Sequence, residues 1–295
     1  MKKTIGLIIF LSSLLSSCGG AVIGPTAASG AITSTTEAQT VKTGFDALLA
    51  RITPANLQSP GNIATVPGVT TSAISPKAAS AFDACTTITP TTAVDADGDG
   101  VAASKKYEYN CIGVAEPGHP AENRLGTITI SDDDTVPASQ GGAYSFAYDV
   151  QFSSSHYQST WEGEFSLTRD QGKLTYGSRF KAFFSESDYA GTWESNYTYE
   201  LNPTDPASPW DAGTAAMSGF YRLQASGTVS NQHVDYDYTW EMSSGNLEYE
   251  QTGTSGCVNY YKNGYIQFKD AGNNLIRYEF TCSAVSYSLN GTAIP

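Results

Sequence analysis

Residues 144–153, YSFAYDVQFS, alternate at every position between a large apolar side chain and a small or polar one. A period of two places the apolar side chains on one face of an extended strand and the others on the opposite face. The stretches 234–242 and 276–282 follow the same pattern. The sequence therefore predicts antiparallel strands that each have one buried and one solvated face.

Turn signals containing glycine fall between the predicted strands. They are DQG at 170–172, SGN at 244–246, KNG at 262–264 and AGN at 271–273. Connections of this kind join neighbouring strands into hairpins. We therefore expect an all-β fold, an antiparallel meander of about 11–13 strands that forms a barrel-like or sandwich sheet. It is expected to be a single domain spanning 81–295.

One helix is expected ahead of the strands. Apolar side chains recur at helical spacing between residues 36 and 52, and Pro54 ends the pattern. They are Val41, Phe45, Leu48, Leu49 and Ile52. Residues 34–80 are therefore expected to hold an amphipathic helix, which covers an opening or an edge of the sheet, followed by an extended linker.

The tripeptide Thr-Trp-Glu occurs at 160–162, 192–194 and 239–241, and uses three of the four tryptophans. Each copy falls within an alternating run, which places Trp on the apolar face and Thr and Glu on the other. We expect Trp161, Trp193 and Trp240 to pack into a shared core, because large aromatic side chains are mostly buried in such sheets. The alternative is that these residues form a row that binds a ligand.

Residues 94–101, VDADGDGV, place three aspartates on alternate positions. The pattern resembles the core of EF-hand-type calcium loops, as in dockerins and thrombospondin repeats. The resemblance implies calcium ligands at Asp95, Asp97 and Asp99 and at the backbone carbonyl of Val101, with Gly100 at the turn. The alternative is an Asp/Gly turn that binds no metal.

The far end of the loop departs from that pattern, because the twelfth position is Lys106 rather than a bidentate glutamate. Another ligand is expected from Glu108, Asp83 or the acidic run 132–134. A calcium ion bound here is expected to be structural and to hold together the segment from Cys85 to Cys111.

The first 17 residues have the pattern of a secretory signal peptide. Lys2 and Lys3 precede an apolar run from 5 to 15, which is too short to span a bilayer as a helix. LSSC at 15–18 follows and resembles the lipobox of bacterial lipoproteins, which implies cleavage before Cys18 and lipidation of this cysteine. Because Gly19 follows instead of aspartate, the resemblance implies a lipid anchor in the outer membrane. The glycine-rich residues 18–33 are expected to form a flexible tether.

Four further cysteines are expected to form disulfides, since an exported chain folds in an oxidising compartment. They are Cys85, Cys111, Cys257 and Cys282. Three pairings are possible. We expect the local one, Cys85 with Cys111 and Cys257 with Cys282, because each pair flanks a predicted strand connection.

Charge and motifs narrow the function classes. Loss of Lys2 and Lys3 with the signal peptide lowers the formal charge from −13 to −15, which argues against nucleic acid as a partner. Signatures such as GxSxG or HExxH do not occur, so no catalytic residue is assigned.

Three classes of function remain. We favour a lipid-anchored binding or structural module of the cell envelope. The alternatives are a carrier of an apolar ligand in an aromatic-lined interior, and a protein that binds or acts on glycans. For a glycan, Trp210 in the proline-rich loop 202–213 is the candidate stacking platform, unless its indole folds back on the sheet.

Overall fold

The computed structural model describes most of the chain from residue 83 onward and several segments before it. The described residues are 31–32, 34–51, 57, 65–66, 69–70, 83–92, 94–99, 101–115, 121–133, 135–155, 157–186, 189–229, 232–251 and 260–294. The predicted signal peptide, Cys18, most of the tether and Cys257 lie outside them.

The described elements are one α-helix, two short 3-10 turns and fifteen strands. The helix α1 is Thr35–Arg51, and the 3-10 turns are Asp83–Cys85 and Ala138–Gln140. The strands are β1 (Thr65–Val66), β2 (Val69–Thr70), β3 (Thr86–Thr89), β4 (Ser104–Val114), β5 (Glu122–Asp132), β6 (Tyr144–Ser153), β7 (Tyr157–Asp170), β8 (Lys173–Glu186), β9 (Tyr189–Pro203), β10 (Ala212–Val229), β11 (Gln232–Glu250), β12 (Tyr261–Lys269), β13 (Leu275–Thr281), β14 (Val285–Leu289) and β15 (Thr292–Ala293).

Strands β3 to β15 form one 13-stranded sheet in which every strand pairs with its neighbour in sequence. All the pairings are antiparallel. This confirms the predicted all-β meander. Among the described pairings, β3 and β15 are the two edges and do not pair with each other, so the sheet is not a closed ring.

One face of the sheet, here called the inner face, carries the core. A row of facing residues crosses β6 to β10 as Val150, Trp161, Ala182, Trp193 and Leu223. All five are buried, and the small Ala182 leaves room for the two indoles on either side of it. Trp240 is also buried, on β11 next to this row. The three repeated tryptophans therefore share the buried face, as the alternation predicted.

The outer face carries the polar residues of the same strands. Lys181 lies opposite Glu162 on one side and Glu194 on the other. Glu194 in turn lies opposite Arg222. Opposite charges on facing strands attract each other, so the glutamates of the repeat belong to a solvated charge row.

Helix α1 packs on the inner face rather than over an edge. Phe45 stacks on Phe268 of β12, with ring centroids 3.4 Å apart, and meets Trp240 edge-on at 5.5 Å. The hydroxyl of Tyr278 on β13 donates to the carbonyl of Lys42. The helix begins at Ser34, whose Oγ accepts the amide of Glu37, as a helix N-cap does. No helix within the described ranges is long and apolar enough to cross a membrane.

Two of the four predicted turns are wrong. DQG at 170–172 and AGN at 271–273 connect strands, but SGN and KNG lie inside β11 and β12, which face each other. The register between these strands shifts on both sides of Glu248. Gly264 sits at this irregularity with φ +95°, where a Cβ would collide with the carbonyl oxygen of Asn246. These glycines therefore serve a β-bulge, which looks like a turn in sequence.

Successive turns alternate between the two ends of the sheet. The end where β4, β6, β8 and β10 finish also carries Cys85, which precedes β3, and is here called the disulfide end. The opposite end carries the connections that follow β3, β5, β7 and β9, including residues 94–99, and is here called the acidic end.

Candidate functional site

The three aspartates of the predicted calcium loop lie in the connection between β3 and β4, at the acidic end. Asp95 Oδ1 accepts the amide of Gly98 at 2.8 Å, and Asp97 Oδ1 accepts the amide of Asp99 at 3.2 Å. Asp99 Oδ1 accepts the amide of Val101 at 2.7 Å. Each side chain thus turns back on its own loop, as short aspartates do in tight turns.

The carboxylates converge. Asp95, Asp97 and Asp99 each offer an oxygen such that these atoms lie within 4.8 Å of one another. Asp97 forms a second group of the same size with Asp132 and Asp133. The structure therefore brings Asp132 and Asp133, at the end of β5, to the loop; they belong to the acidic run that was one of three expected sources of a further ligand.

The other two expected ligand sources, Glu108 and Asp83, are not shown at the loop. Glu108 pairs with Lys106, with Nζ and Oε2 3.2 Å apart, and both side chains lie on exposed positions of β4. The side chain of Asp83 is outside the described residues. The residue at the twelfth position therefore neutralises a neighbouring glutamate.

Two carboxyl groups of the cluster are perturbed in opposite directions. Burial is the main cause that raises the pKa of Asp97, and the charges of Asp99 and Asp95 add to it. Burial also acts to raise the pKa of Asp133, but hydrogen bonds from the amides of Thr135, Val136 and Ala143 outweigh it and lower the pKa. The surroundings thus disfavour the charged form of Asp97 and favour the charged form of Asp133.

The donor set fits a hard divalent cation. Calcium prefers carboxylate and carbonyl oxygens, and several carboxylates converge here without histidine or cysteine among them. Asp97 Oδ2 is shielded from solvent and has no hydrogen-bond partner in the part of the chain that the structure describes. Asp99 Oδ2 accepts the amide of Ala138 at 3.0 Å, which ties the loop to the 3-10 turn beyond β5.

The cysteines agree with the local pairing where they are described. Cys85 and Cys111 form a disulfide whose Cα atoms are 5.1 Å apart and whose residues are 26 apart in sequence. Cys282 is disulfide-bonded as well, while Cys257, its expected partner, lies outside the described residues. The pairing of Cys257 with Cys282 stays a prediction.

The proposed glycan platform is buried. Trp210 is 5% exposed, and its loop is held by a hydrogen bond from the hydroxyl of Tyr249 to the carbonyl of Pro209 at 2.7 Å. The indole folds back into the core, which was the alternative to an open platform. Stacking a sugar on this ring would first require the loop to leave the sheet.

Several inward-facing polar groups were missed by sequence reasoning. Ser159, Ser195 and Arg124 are buried on the inner face, as is the hydroxyl of Tyr221. The alternation places these positions on the inner face, but a serine or arginine there gives no motif that could mark it.

No protein-family model, curated protein or solved structure matches the chain. Function is therefore inferred from its residues and their geometry.

Proposed function

We propose that this protein is a lipid-anchored binding or structural module of the bacterial outer membrane. The observation that carries the proposal is LSSC at 15–18, directly after a basic start and a short apolar run. The proposed role involves no catalysis.

The described start of the chain supports an anchored arrangement. The amide of Ile32 donates to Asp270, so the chain is attached to the sheet in the turn between β12 and β13. Cys18 is 14 residues upstream of Ile32, a distance of at most about 50 Å when extended. A lipid on Cys18 would thus hold the β12–β13 turn within about 50 Å of the bilayer.

Replacement of Cys18 tests the anchor. In Cys18→Ala we expect the full chain to lose acyl labelling and to accumulate as unprocessed precursor. Ser17→Ala is the matched control, because alanine keeps a small residue ahead of the cut. Equal membrane fractionation of wild type and Cys18→Ala, with no acyl label on the wild type, contradicts the proposal.

We also propose that calcium stabilises this module without switching it. Asp97 and the four carboxylates grouped with it repel one another when no cation is present, which favours binding of a divalent ion. The loop belongs to a hairpin that the Cys85–Cys111 disulfide already holds. Calcium therefore adds stability to a segment that is folded without it.

The second candidate function is that of a carrier for an apolar ligand. It is favoured by the inner face near the disulfide end, where aromatic rings line neighbouring strands. The burial of Trp210 makes the glycan alternative the weakest of the three.

A further inference from the structure

Four rings follow one another across the inner face of β7 to β10. Trp161 and Phe180 have centroids 5.3 Å apart, Phe180 and Trp193 4.4 Å, and Trp193 and Tyr221 5.7 Å. These four residues are here called the aromatic strip. The described contacts of helix α1 are with residues of β11 to β14, whereas the strip lies on β7 to β10 of the same face.

The aromatic strip is buried, but less completely than some other residues of the inner face. Trp161, Phe180, Trp193 and Tyr221 are 5%, 7%, 5% and 9% exposed, whereas Leu174, Tyr199 and Leu201, nearer the acidic end of the same face, are 0–1% exposed. Each strand of the strip is hydrogen-bonded to a neighbour on both sides. A ligand would therefore reach these inward-facing rings from the interior and not through the sheet.

The aromatic strip also holds hydrogen-bond donors that lack acceptors. Trp193 Nε1 and the hydroxyl of Tyr221 are buried and make no hydrogen bond with any described residue. The buried Ser195 lies directly opposite Tyr221 on β9 and opposite Phe180 on β8. A buried donor without an acceptor is costly, and native proteins nearly always pair such groups with protein, water or ligand.

The chemistry of these groups selects the ligand. Burial raises the pKa of Tyr221, with the nearby Tyr238 adding to the shift, so the phenol stays a donor throughout the physiological range. Indole and phenol are neutral donors, which suit a neutral acceptor because an ionised carboxylate would lose its hydration without gaining a cation. Arg124, which faces the same interior, already has Glu122 at 3.2 Å.

We propose that the aromatic strip binds an apolar molecule with a neutral carbonyl group, which accepts hydrogen bonds from Trp193 Nε1 and the Tyr221 hydroxyl. The inference deepens the carrier function given above and rests on it. Apolar walls with a few convergent polar groups are what small-molecule sites generally offer. The rings supply contact area, and the two donors orient the carbonyl.

A brominated fatty-acid methyl ester tests this, since bromine quenches indole fluorescence only in close contact. The full chain is titrated with the ester and with the brominated alkane of equal length, each delivered from cyclodextrin. We expect saturable quenching and tighter binding of the ester. In Tyr221→Phe we expect the ester to bind about fivefold more weakly, as for one lost neutral hydrogen bond, and the alkane to bind as before. In Trp193→Phe, which also removes contact area, we expect the ester to lose more affinity than the alkane.

Tyr260→Phe is the control, because the Tyr260 hydroxyl is also buried but follows β11 at the acidic end, away from the strip. It should leave ester binding unchanged. If Trp193→Phe does not fold, Tyr221→Phe alone decides. Absence of saturable quenching, or equal affinity for ester and alkane in the wild type, overturns the proposal. Neither result depends on lipidation of Cys18, which the fractionation experiment tests separately.

Discussion

Asp270 Oδ2 accepts a hydrogen bond from the amide of Ile32 at 2.7 Å, across 238 residues of sequence. The same carboxylate accepts the Asn274 side-chain amide at 2.9 Å, while Asp270 Oδ1 accepts the Asn274 backbone amide at 2.7 Å. Asn274 also donates to the carbonyl of Ile32 at 3.0 Å. The β12–β13 turn thus binds both the backbone N–H and the backbone C=O of Ile32, just before helix α1 begins.

Asp270→Ala should loosen this attachment. The amide of Ile32 would lose a charged acceptor, for which we expect a loss of about 1.5–3 kcal/mol in the free energy of unfolding. Hydrogen exchange at Ile32 should accelerate, and by more than exchange in β7 to β9, which follows only the change in global stability. Asp205→Ala, in an exposed loop, is the control. Unchanged exchange at Ile32 would mean that this hydrogen bond does not hold the chain in solution.

Phe45→Ala should destabilise the fold strongly. The ring stacks on Phe268 and contacts Trp240, and its removal leaves a cavity between helix and sheet. We expect a loss of about 3–5 kcal/mol, measured by denaturant unfolding. Phe183→Ala is the matched control, since that ring is 41% exposed and should cost less than about 1 kcal/mol. Equal effects of the two changes would argue against a docked helix.

Calcium should raise the melting temperature of the protein modestly. Sites without the bidentate glutamate resemble weak extracellular ones, with dissociation constants of about 10⁻⁴–10⁻³ M. At ten times that constant the gain is about 1.4 kcal/mol, or about 3–5 °C for a domain of this size. Asp97→Asn should abolish the increment, and Asp149→Asn on the exposed face of β6 should preserve it. A melting temperature that changes neither with calcium nor with chelator would show that the loop is a turn that binds no calcium.

The calcium increment should shrink as the pH falls. Burial raises the pKa of Asp97 above 3.8 in the folded state. The stability that this carboxyl group contributes is therefore fully present below pH 3.8 and is lost as the pH rises through the folded-state pKa. In calcium-free buffer, Asp97→Asn should therefore be at least as stable as wild type near neutral pH. Asp133, whose pKa is lowered, stays charged above pH 3.8 and therefore does not reverse this dependence of stability on pH.

Melting curves with and without calcium, from about pH 7 down to about pH 4, measure this effect, because protons compete with calcium for Asp97. An increment that stays constant over the range would place the metal ligands elsewhere.

Several features of the fold were predictable because their causes are local. The alternation at 144–153 sets the two faces of β6, and it placed Trp161, Trp193 and Trp240 on the buried face. The spacing from Val41 to Phe45 predicted the helix. Turns were less predictable: a glycine with positive φ serves the turn at Gly172 and the bulge at Gly264 alike, and only the strand opposite distinguishes them.

The sequence by itself determined the strands, the helix and the side chains that each presents to the core, because these follow from backbone periodicity and the cost of burying polar groups. Only the tertiary structure decided which residues far apart in sequence contact each other. It placed Phe45 on Phe268, brought Asp132 and Asp133 to Asp97, and buried Trp210 beneath its own loop. The physical reason is that these contacts depend on the curvature and register of the sheet, which the packing of all its strands sets together and no local pattern contains.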